Sequence, residues 1–274
     1  MIDLHTHTTE SDGRCTPAEL VAKAAGAGVS VLAVTDHDTV GGCEAAAAAC
    51  AAAGITFVTG IEITAMRDDR DVHVLGYFID VTASGLHAFL SEQRRRRIDR
   101  VRQMVARLAE LGIGLEGDAV LRPALENPRK SAGRPWIARA LVAGGHVATT
   151  GEAFDRWLAR GRPAFIPRRG ASPAEVISHI HDAKGLASLA HPALVGHDEW
   201  IGELVSDGLD ALEAYHSEHD SVATARYLAT ASTLGLAVSG GSDFHGDSSH
   251  GPSLPGAVSL PRDAYERLVL RRSG

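Results

Sequence analysis

Short apolar runs alternate along the chain with longer segments in which apolar residues recur at helical spacing. The apolar runs predict β-strands over residues 2–5, 31–35, 56–60, 186–190, 209–214 and 237–239. The segments between them predict α-helices over residues 17–28, 40–53 and 173–184, the first with Thr16 as its N-cap and Pro17 as its first residue. Strands that alternate with helices are typical of parallel sheets. The pattern therefore predicts an α/β fold whose strands form a barrel or an open sheet.

The alternation stops after Asp80 and resumes near residue 164. Residues 84–157 show helical spacing throughout, starting with a long segment that contains four consecutive arginines from Arg94. Glycines and prolines punctuate the later part of this region. We therefore expect residues 82–164 to form a helical insertion subdomain that covers the active site of a barrel built from residues 1–81 and 165–274.

The composition excludes several classes of protein. Hydrophobic residues make up 45% and charged residues 22% of the 274-residue chain, as in ordinary soluble domains. No apolar run approaches the roughly 20 residues of a membrane span, and the N-terminus lacks signal-peptide features, which favours a cytoplasmic protein. The net charge of −7 argues against binding to long duplex nucleic acid. Cys15, Cys43 and Cys50 form no Cys-x-x-Cys pair and are interpreted as free thiols.

Histidines and acids follow the apolar runs in a recurring pattern. Four predicted strands end in the motifs Asp3-Leu4-His5-Thr6-His7, Val34-Thr35-Asp36-His37-Asp38, Leu189-Ala190-His191-Pro192 and Gly241-Ser242-Asp243-Phe244-His245. Ligands bind at the carboxyl ends of parallel strands, and alternation places His5 and His7 on one side of the chain. Further candidates are Asp12, Glu62 and His73. One such motif alone is also typical of a structural hydrogen bond, but their occurrence at most predicted strand ends favours a shared metal site.

Together these motifs resemble those of the PHP (polymerase and histidinol phosphatase) family of the amidohydrolase superfamily. The resemblance rests on nine residues that occur in the family's order: His5, His7, Asp12, His37, Glu62, His73, His191, Asp243 and His245. It implies a distorted (β/α)7 barrel with two or three divalent metal ions. The insertion after His73, the motif Gly133-Arg134-Pro135 and residues 161–167 further resemble the phosphatases that remove the 3′-phosphate from nucleoside 3′,5′-bisphosphates.

The resemblance also implies which residue binds which ion. His5, His7, Glu62 and Asp243 would hold the first ion, and Glu62 would bridge to a second ion held by His73 and His191. Asp12, His37 and His245 would hold a third. The residues closest to the chemistry would be Asp12, His37, Glu62, Asp243 and His245. Mixed imidazole and carboxylate ligands favour Mn²⁺, with Zn²⁺ or Fe²⁺ as alternatives, over Mg²⁺ or Ca²⁺.

Five further residues are predicted to contact the substrate: Arg134, Lys130, His197, His216 and His219. Arg134 is the candidate phosphate clamp, because a guanidinium binds phosphate through two parallel hydrogen bonds. His216 and His219 are candidate proton donors, although a helix cap or a surface position explains either equally well. Trp136 and Phe165 are candidate platforms for a nucleobase and are also typical core residues. Most of the arginines in the run from Arg94 are expected to be solvated or paired.

The resemblance implies a phosphoric monoester hydrolase that converts a nucleoside 3′,5′-bisphosphate, such as adenosine 3′,5′-bisphosphate, to the 5′-nucleotide. Short RNA is a second expected substrate, since a 3′-phosphodiester presents the same phosphorus atom. A histidinol phosphatase or another small phosphomonoesterase is one alternative. A PHP module that binds metal without catalysis and supports a partner is another, as is a carbon–nitrogen hydrolase of the wider superfamily. The native metal and the oligomeric state are left open by the sequence.

Overall fold

Seven strands lie side by side in chain order in the computed structural model, which describes residues 1–246 and 252–272. The strands are β1 Ile2–Asp3, β2 Val31–Val34, β3 Thr56–Arg67, β4 Arg70–Tyr77, β5 Leu186–Leu189, β6 Ala211–Tyr215 and β7 Ala237–Gly240. Strands β1, β2 and β3 are parallel, as are β5, β6 and β7. Strand β4 runs antiparallel to both of its neighbours.

The two edges of the sheet approach each other and nearly close a barrel. Gly240 O accepts a hydrogen bond from Leu4 N at 3.2 Å, and His5 O accepts one from Asp243 N at 2.8 Å. An isolated parallel bridge joins Thr6 to Phe244. Surrounding helices cover this sheet, so the prediction of a distorted (β/α)7 barrel is confirmed.

Strand β4 is absent from the strands predicted from the sequence, and its antiparallel direction makes the expectation of a parallel sheet wrong at this place. A tight turn joins β3 directly to β4, and its central residues Asp68 and Asp69 have φ angles of 48° and 58°. Two positive φ values are what a two-residue hairpin turn requires. Strand β3 also continues to Arg67, well past the predicted end at residue 60. Polar side chains such as Glu62 and Thr64 lie within this strand because they face the interior of the barrel.

Helices pack around the barrel with the local signals that the sequence predicts. They are α1 Pro17–Gly26, α2 Cys43–Ala53, α7 Pro173–Asp182, α8 Pro192–Val195, α9 Ile201–Ser206, α10 Ser221–Leu234 and α11 Arg262–Arg271. The predicted N-cap of α1 is confirmed: Thr16 accepts a hydrogen bond from Glu19 N, and the Glu19 side chain bonds back to Thr16. Gly54 ends α2 with a left-handed φ of 69°.

A second group of helices lies between β4 and β5. It comprises α3 Ser84–Glu110, α4 Gly117–Glu126, α5 Arg134–Ala143 and α6 Thr150–Ala153, which continues into a π-helical turn at Phe154–Leu158. Residues 111–116, 127–133 and 144–149 are not helical, so the expectation of continuous helix over 84–157 was wrong there. Gly112, Gly114 and Pro128 fall in these breaks. The group has its own apolar core, which includes Met104, Trp136 and Leu158 and supports our proposal of an insertion over residues 82–164.

Two further predictions concern the cysteines and the membrane. Cys15, Cys43 and Cys50 are buried and free, so the prediction of unpaired thiols is confirmed. Across residues 1–246 and 252–272, no helix has the length and apolar character needed to cross a bilayer.

Candidate metal centre

The predicted ligands surround one buried carboxylate, that of Glu62, which is 1% exposed. Its two oxygen atoms face different groups of imidazoles. Oε1 lies 2.6 Å from His73 Nδ1 and 3.1 Å from His191 Nε2. Oε2 lies 3.1 Å from His37 Nδ1, 3.3 Å from His7 Nε2 and 3.4 Å from His5 Nε2. A carboxylate placed in this way can serve two cations, one on each oxygen.

Two more carboxylates complete the cluster. Asp243 Oδ1 lies 3.1 Å from His7 Nε2 and 3.3 Å from His5 Nε2. Asp12 lies on the opposite side of His7, with its Oδ1 3.3 Å from His245 Nε2 and its Oδ2 3.7 Å from His37 Nε2. The His7 and His245 rings are stacked, with centroids 4.1 Å apart. All nine residues proposed as ligands therefore lie in one connected cluster.

The donor atoms of this cluster fit divalent metal ions. Four groups of side chains have ligand atoms that all lie within 4.8 Å of one another. Two of these groups share Glu62, which joins His5 and His7 in one and His37 and His73 in the other. The third group contains His7, Asp12, His37 and His245, and the fourth contains His5, His216 and Asp243. Several imidazole nitrogens are buried without a hydrogen-bond partner in the described chain: His5 Nε2, both nitrogens of His7, His37 Nδ1, His73 Nδ1 and His191 Nδ1. Buried polar atoms normally have partners, and nitrogen lone pairs that converge in this way are suited to bind cations. Which side chain binds which ion stays a prediction.

Electrostatics favours ionised carboxylates in the cluster. Burial by itself raises the pKa of the Glu62 carboxyl, but the neighbouring His37, His73 and His5 hold that pKa well below its usual range. Burial alone would lower the pKa of His7, whereas Asp243 and Glu62 raise it to about 10. Without cations His5 and His7 therefore take up protons beside the carboxylates, whereas burial holds the pKa of His37 well below its usual range. Metal binding must displace these protons, so it should weaken as the pH falls.

The hairpin β3–β4 explains how Glu62 and His73 meet. In its antiparallel register, Glu62 is opposite Leu75 and Thr64 is opposite His73. Glu62 and His73 are thus diagonal neighbours, which share one face of the sheet. The expectation that Glu62 follows a strand end was wrong, because it lies inside β3. His73, expected at the start of an apolar run, lies inside β4.

Two of the candidate ligands occupy backbone conformations that are unusual for residues with side chains. His191 has a φ of 29° and Asp243 has a φ of 55°. Left-handed conformations outside glycine cost on the order of 1–3 kcal/mol each and occur preferentially at functional sites. Here they direct both side chains into the cluster, where His191 contacts Glu62 and Asp243 contacts His5.

Glu213 is a functional candidate that the sequence prediction missed. It lies on β6, where Oε1 accepts a hydrogen bond from His5 Nδ1 at 3.0 Å and Oε2 accepts one from His191 N at 2.7 Å. In neutral His5, the bond to Nδ1 places the proton on that nitrogen and leaves Nε2 unprotonated toward Glu62 and Asp243, as a metal ligand requires. The signal available in the sequence was an acid within the apolar run 209–214.

His216 and His219 lie on the loop after β6. His216 is buried, and its Nε2 lies 3.3 Å from Asp243 Oδ2. Its Nδ1 accepts a hydrogen bond from Glu218 N at 3.1 Å, so the proton of neutral His216 resides on Nε2. This tautomer favours a proton donor over a ligand. His219 donates from Nδ1 to Ala214 O at 2.9 Å, with its ring 5.3 Å from that of His216.

A cleft of about 520 Å³ opens beside the cluster. One wall carries the cluster residues Asp12, Asp243 and His245, and the other carries Pro135, Phe154 and Leu194. Phe154 therefore contributes an aromatic ring to this cleft, whereas Trp136 and Phe165, the base platforms expected from the sequence, do not line it. Trp136 is instead buried in the core of the helical insertion, and Phe165 lies under the guanidinium groups of Arg100 and Arg134.

Arg134 belongs to a mostly buried group of four arginines, which we call the guanidinium cluster: Arg97, Arg100, Arg134 and Arg168. Among the described residues, only the carboxylates of Asp38 and Asp71 form ion pairs with these four cations. Arg134 lies 3.5 Å from Asp71, Arg168 lies 3.5 Å from Asp71 and 3.6 Å from Asp38, and Arg97 also pairs with Asp38. Burial lowers the pKa of Arg100 to about 9, and its Nη2 has no hydrogen-bond partner within the described residues. This excess of positive charge is suited to bind an anion.

The remaining predicted substrate residues have partners outside the metal cluster. Lys130 Nζ donates to Thr9 O at 2.6 Å and lies 3.4 Å from Glu10 Oε1. His197 pairs with Glu199 at 2.7 Å, and its ring stacks on Trp200 at 4.1 Å. Neither residue lines the cleft beside Asp12. Substrate contact by Lys130 or His197 stays a prediction.

We expect Asp12→Ala to lower the bound metal by about one equivalent and to leave the other ions in place, because Asp12 faces His37 and His245 and lies apart from Glu62. Elemental analysis of the purified protein measures this. Asp118→Ala, which changes an exposed acid at the start of α4, is the matched control and should keep the parent's metal content. Parental occupancy in Asp12→Ala would remove this residue from the ligand set.

The chain matches known proteins over almost its whole length. Residues 3–142 match the family model of the PHP domain. A 3′,5′-nucleoside bisphosphate phosphatase of Chromobacterium violaceum is 34% identical over 95% of this chain and 92% of its own length. A 5′-3′ exoribonuclease of Haemophilus influenzae is 34% identical over 89% of both chains. The solved structure of an amidohydrolase of Chromobacterium violaceum, with bound sulfate and no metal, superimposes with a TM-score of 0.88 at 33% identity and covers 98% of this chain and 96% of that one.

Proposed function

The chain belongs to the PHP domain family, and from this membership we propose that it is a metal-dependent phosphoesterase that removes the 3′-phosphate from nucleoside 3′,5′-bisphosphates. The product would be the 5′-nucleotide, with adenosine 3′,5′-bisphosphate as a representative substrate. The observation that carries the proposal is the position of Glu62, whose two oxygens face two separate groups of histidines. The name of the phosphatase relative, which aligns over nearly its full length, supports the reaction.

The metal ions and the residues around them would have different roles in the reaction. When bound, divalent ions supply a water nucleophile at neutral pH and neutralise charge on the phosphate oxygens. Glu62, Asp12 and Asp243 provide three carboxylates, so the cluster stays cationic with two or three ions and attracts a phosphate. Neutral His216 holds a proton on Nε2 beside Asp243, from where it would protonate the 3′-oxygen of the departing 5′-nucleotide. Mixed imidazole and carboxylate donors favour Mn²⁺ as the native ion.

The guanidinium cluster supplies a second anion site for the phosphate that is not cleaved. A nucleoside 3′,5′-bisphosphate carries one phosphate on each side of the ribose, and the substrate would place its 3′-phosphate at the metal cluster. Arg134 begins α5 beside Pro135, which lines the cleft, so its guanidinium would contact a 5′-phosphate at the edge of the cleft. Phe154, whose ring lies 5.7 Å from the Arg134 guanidinium carbon, would support the base.

Short RNA with a 5′-phosphate is a second proposed substrate. Its first nucleotide carries the same 5′-phosphate, and its 3′-phosphodiester places the same phosphorus at the metal cluster. The 5′-3′ exoribonuclease relative favours this activity. Cleavage would then release the 5′-terminal nucleotides one at a time.

The proposal is tested by measuring turnover of a substrate panel with Mn²⁺ supplied. The panel contains a nucleoside 3′,5′-bisphosphate, the matching 3′-monophosphate, a 5′-phosphorylated oligoribonucleotide and histidinol phosphate. We expect the bisphosphate to have the highest kcat/KM and the 3′-monophosphate a lower one, because only the bisphosphate fills both anion sites. A preference for histidinol phosphate would replace the proposal with histidinol phosphatase activity. If the metal-loaded protein hydrolysed none of these substrates, the result would favour a binding module without catalysis.

A further inference from the structure

We infer that the helical insertion positions the loop that carries Asp12, so that the affinity of the third metal site depends on the indole N–H of Trp136. This loop, residues 8–13, is called the Asp12 loop below. The inference rests on the proposed metal-dependent function and extends it to Trp136, which lies in the core of the insertion and does not line the cleft beside the metal cluster. Trp136 would therefore be a positioning residue.

Four successive carbonyl oxygens of the Asp12 loop accept hydrogen bonds from a short segment of the insertion. The donors lie between residues 130 and 139, at the end of the α4–α5 connection and along α5. The bonds are Lys130 Nζ to Thr9 O at 2.6 Å, Ser131 N to Glu10 O at 2.8 Å, Trp136 Nε1 to Ser11 O at 2.9 Å and Arg139 Nη1 to Asp12 O at 3.0 Å. A run of carbonyls outside any strand or helix would otherwise need water or another partner. The insertion thus provides hydrogen-bond donors to carbonyls that, in a strand or helix, would be paired with backbone N–H groups.

The barrel holds the opposite side of the same loop. Asp36, buried after β2, accepts hydrogen bonds from Thr8 N at 2.7 Å, from Thr8 Oγ1 at 2.6 Å and from Ser11 Oγ at 2.6 Å. A Cβ atom at Gly13 would approach His7 O to 2.5 Å, so the loop also packs against the backbone of a proposed ligand. The loop is therefore fixed from the barrel and from the insertion, and Asp12 lies between these two sets of contacts.

Trp136 donates the most buried of the three side-chain hydrogen bonds to this loop. Trp136 and Ser11 are both buried, at 7% and 2% exposure, whereas Lys130 has a side chain that is 21% exposed. If the indole N–H is removed, Ser11 O keeps no donor among the side chains of α5, and the neighbouring Asp12 loses part of its support. Removing a group that orients a metal ligand typically weakens metal affinity 10- to 100-fold.

The test is a Mn²⁺ titration of the metal-free full chain, with free Mn²⁺ followed by electron paramagnetic resonance. In Trp136→Phe, we expect the weakest of three Mn²⁺ ions to bind about tenfold less tightly and the other two to keep their affinities. The matched control is Trp157→Phe. Trp157 packs on the same insertion core, but its Nε1 is buried without a hydrogen-bond partner within the described residues. Loss of that indole N–H should leave all three affinities at the parent's values.

Lys130→Met is the second variant and is decisive if Trp136→Phe does not fold. It removes the bond to Thr9 O from a partly exposed position, and we expect a loss of roughly threefold, confined to the same ion. The inference would be overturned if both variants bound Mn²⁺ with the same affinities as Trp157→Phe. It would also be overturned if the affinity for all three ions fell equally. A parent that binds only two ions would also overturn it, while the phosphoesterase proposal, which depends on Glu62, would stand. If the parent bound three ions but had no phosphatase activity, the proposed function would be wrong. The Mn²⁺ titration would still test the role of Trp136.

Discussion

Removal of the divalent ions with a chelator is expected to abolish phosphate release from a nucleoside 3′,5′-bisphosphate, and added Mn²⁺ is expected to restore it. Phosphate monoester hydrolysis is among the slowest uncatalysed reactions in water. The centre of the site consists of carboxylates and histidines whose shared protons leave no strong nucleophile. We therefore expect the initial rate to fall roughly 10³-fold or more, as measured by inorganic phosphate.

Glu62→Gln tests the same dependence without a chelator. An amide has one acceptor oxygen, and its NH₂ group donates, so it cannot face histidines and cations on both sides as the carboxylate does. We expect a comparable loss of activity together with a loss of bound metal. Glu266→Gln, which changes an exposed acid on α11, is the matched control and should match the parent. Undiminished turnover by protein shown to be free of metal would refute the phosphoesterase proposal.

Arg134→Ala is expected to lower kcat/KM for a nucleoside 3′,5′-bisphosphate by roughly 10²-fold or more, since it removes a charge-assisted contact from a poorly solvated site. If Arg134 binds the uncleaved phosphate, the loss for the matching 3′-monophosphate should be much smaller. If it binds the phosphate that is cleaved, both substrates should lose activity alike. Steady-state kinetics on the two substrates distinguishes these outcomes.

Arg134→Lys separates charge from geometry. Lysine keeps the positive charge and loses the planar pair of donors, so we expect only partial recovery relative to alanine. Arg102→Ala, on the exposed side of α3, is the control for loss of an arginine near the site. Activities of Arg134→Ala within about twofold of the parent on both substrates would show that Arg134 is a surface or structural arginine. The assignment to nucleoside bisphosphates would then lose its main side-chain support.

Local signals were sufficient to predict much of this protein. Thr16, Pro17 and Glu19 start α1 through contacts within one helical turn, so three neighbouring residues determine that boundary. The nine proposed ligands could be identified because the relevant motifs are short, such as His5-x-His7, and because carboxyl ends of strands meet at one end of a barrel. Both features depend on residue type and on short spacing along the chain.

Other features required the tertiary structure, because they depend on pairs of residues far apart in sequence. Helical spacing could not distinguish Arg97 and Arg100 from their solvated neighbours. They are buried only because α3 crosses Asp38 and the segment at Ile166. The reversal of β4 depends on two positive φ values, which aspartate tolerates but does not require.

The residues around the proposed ligands also required the tertiary structure. Glu213 reaches His5 across 208 positions of sequence, and Trp136 reaches Ser11 across 125. Neither residue belongs to a sequence motif that indicates its partner. The sequence by itself therefore determined the chemistry of the ligands and the class of fold. Only the tertiary structure decided which groups orient those ligands and where the unpaired positive charge lies, because burial and long-range hydrogen bonds arise when the barrel and the insertion pack together.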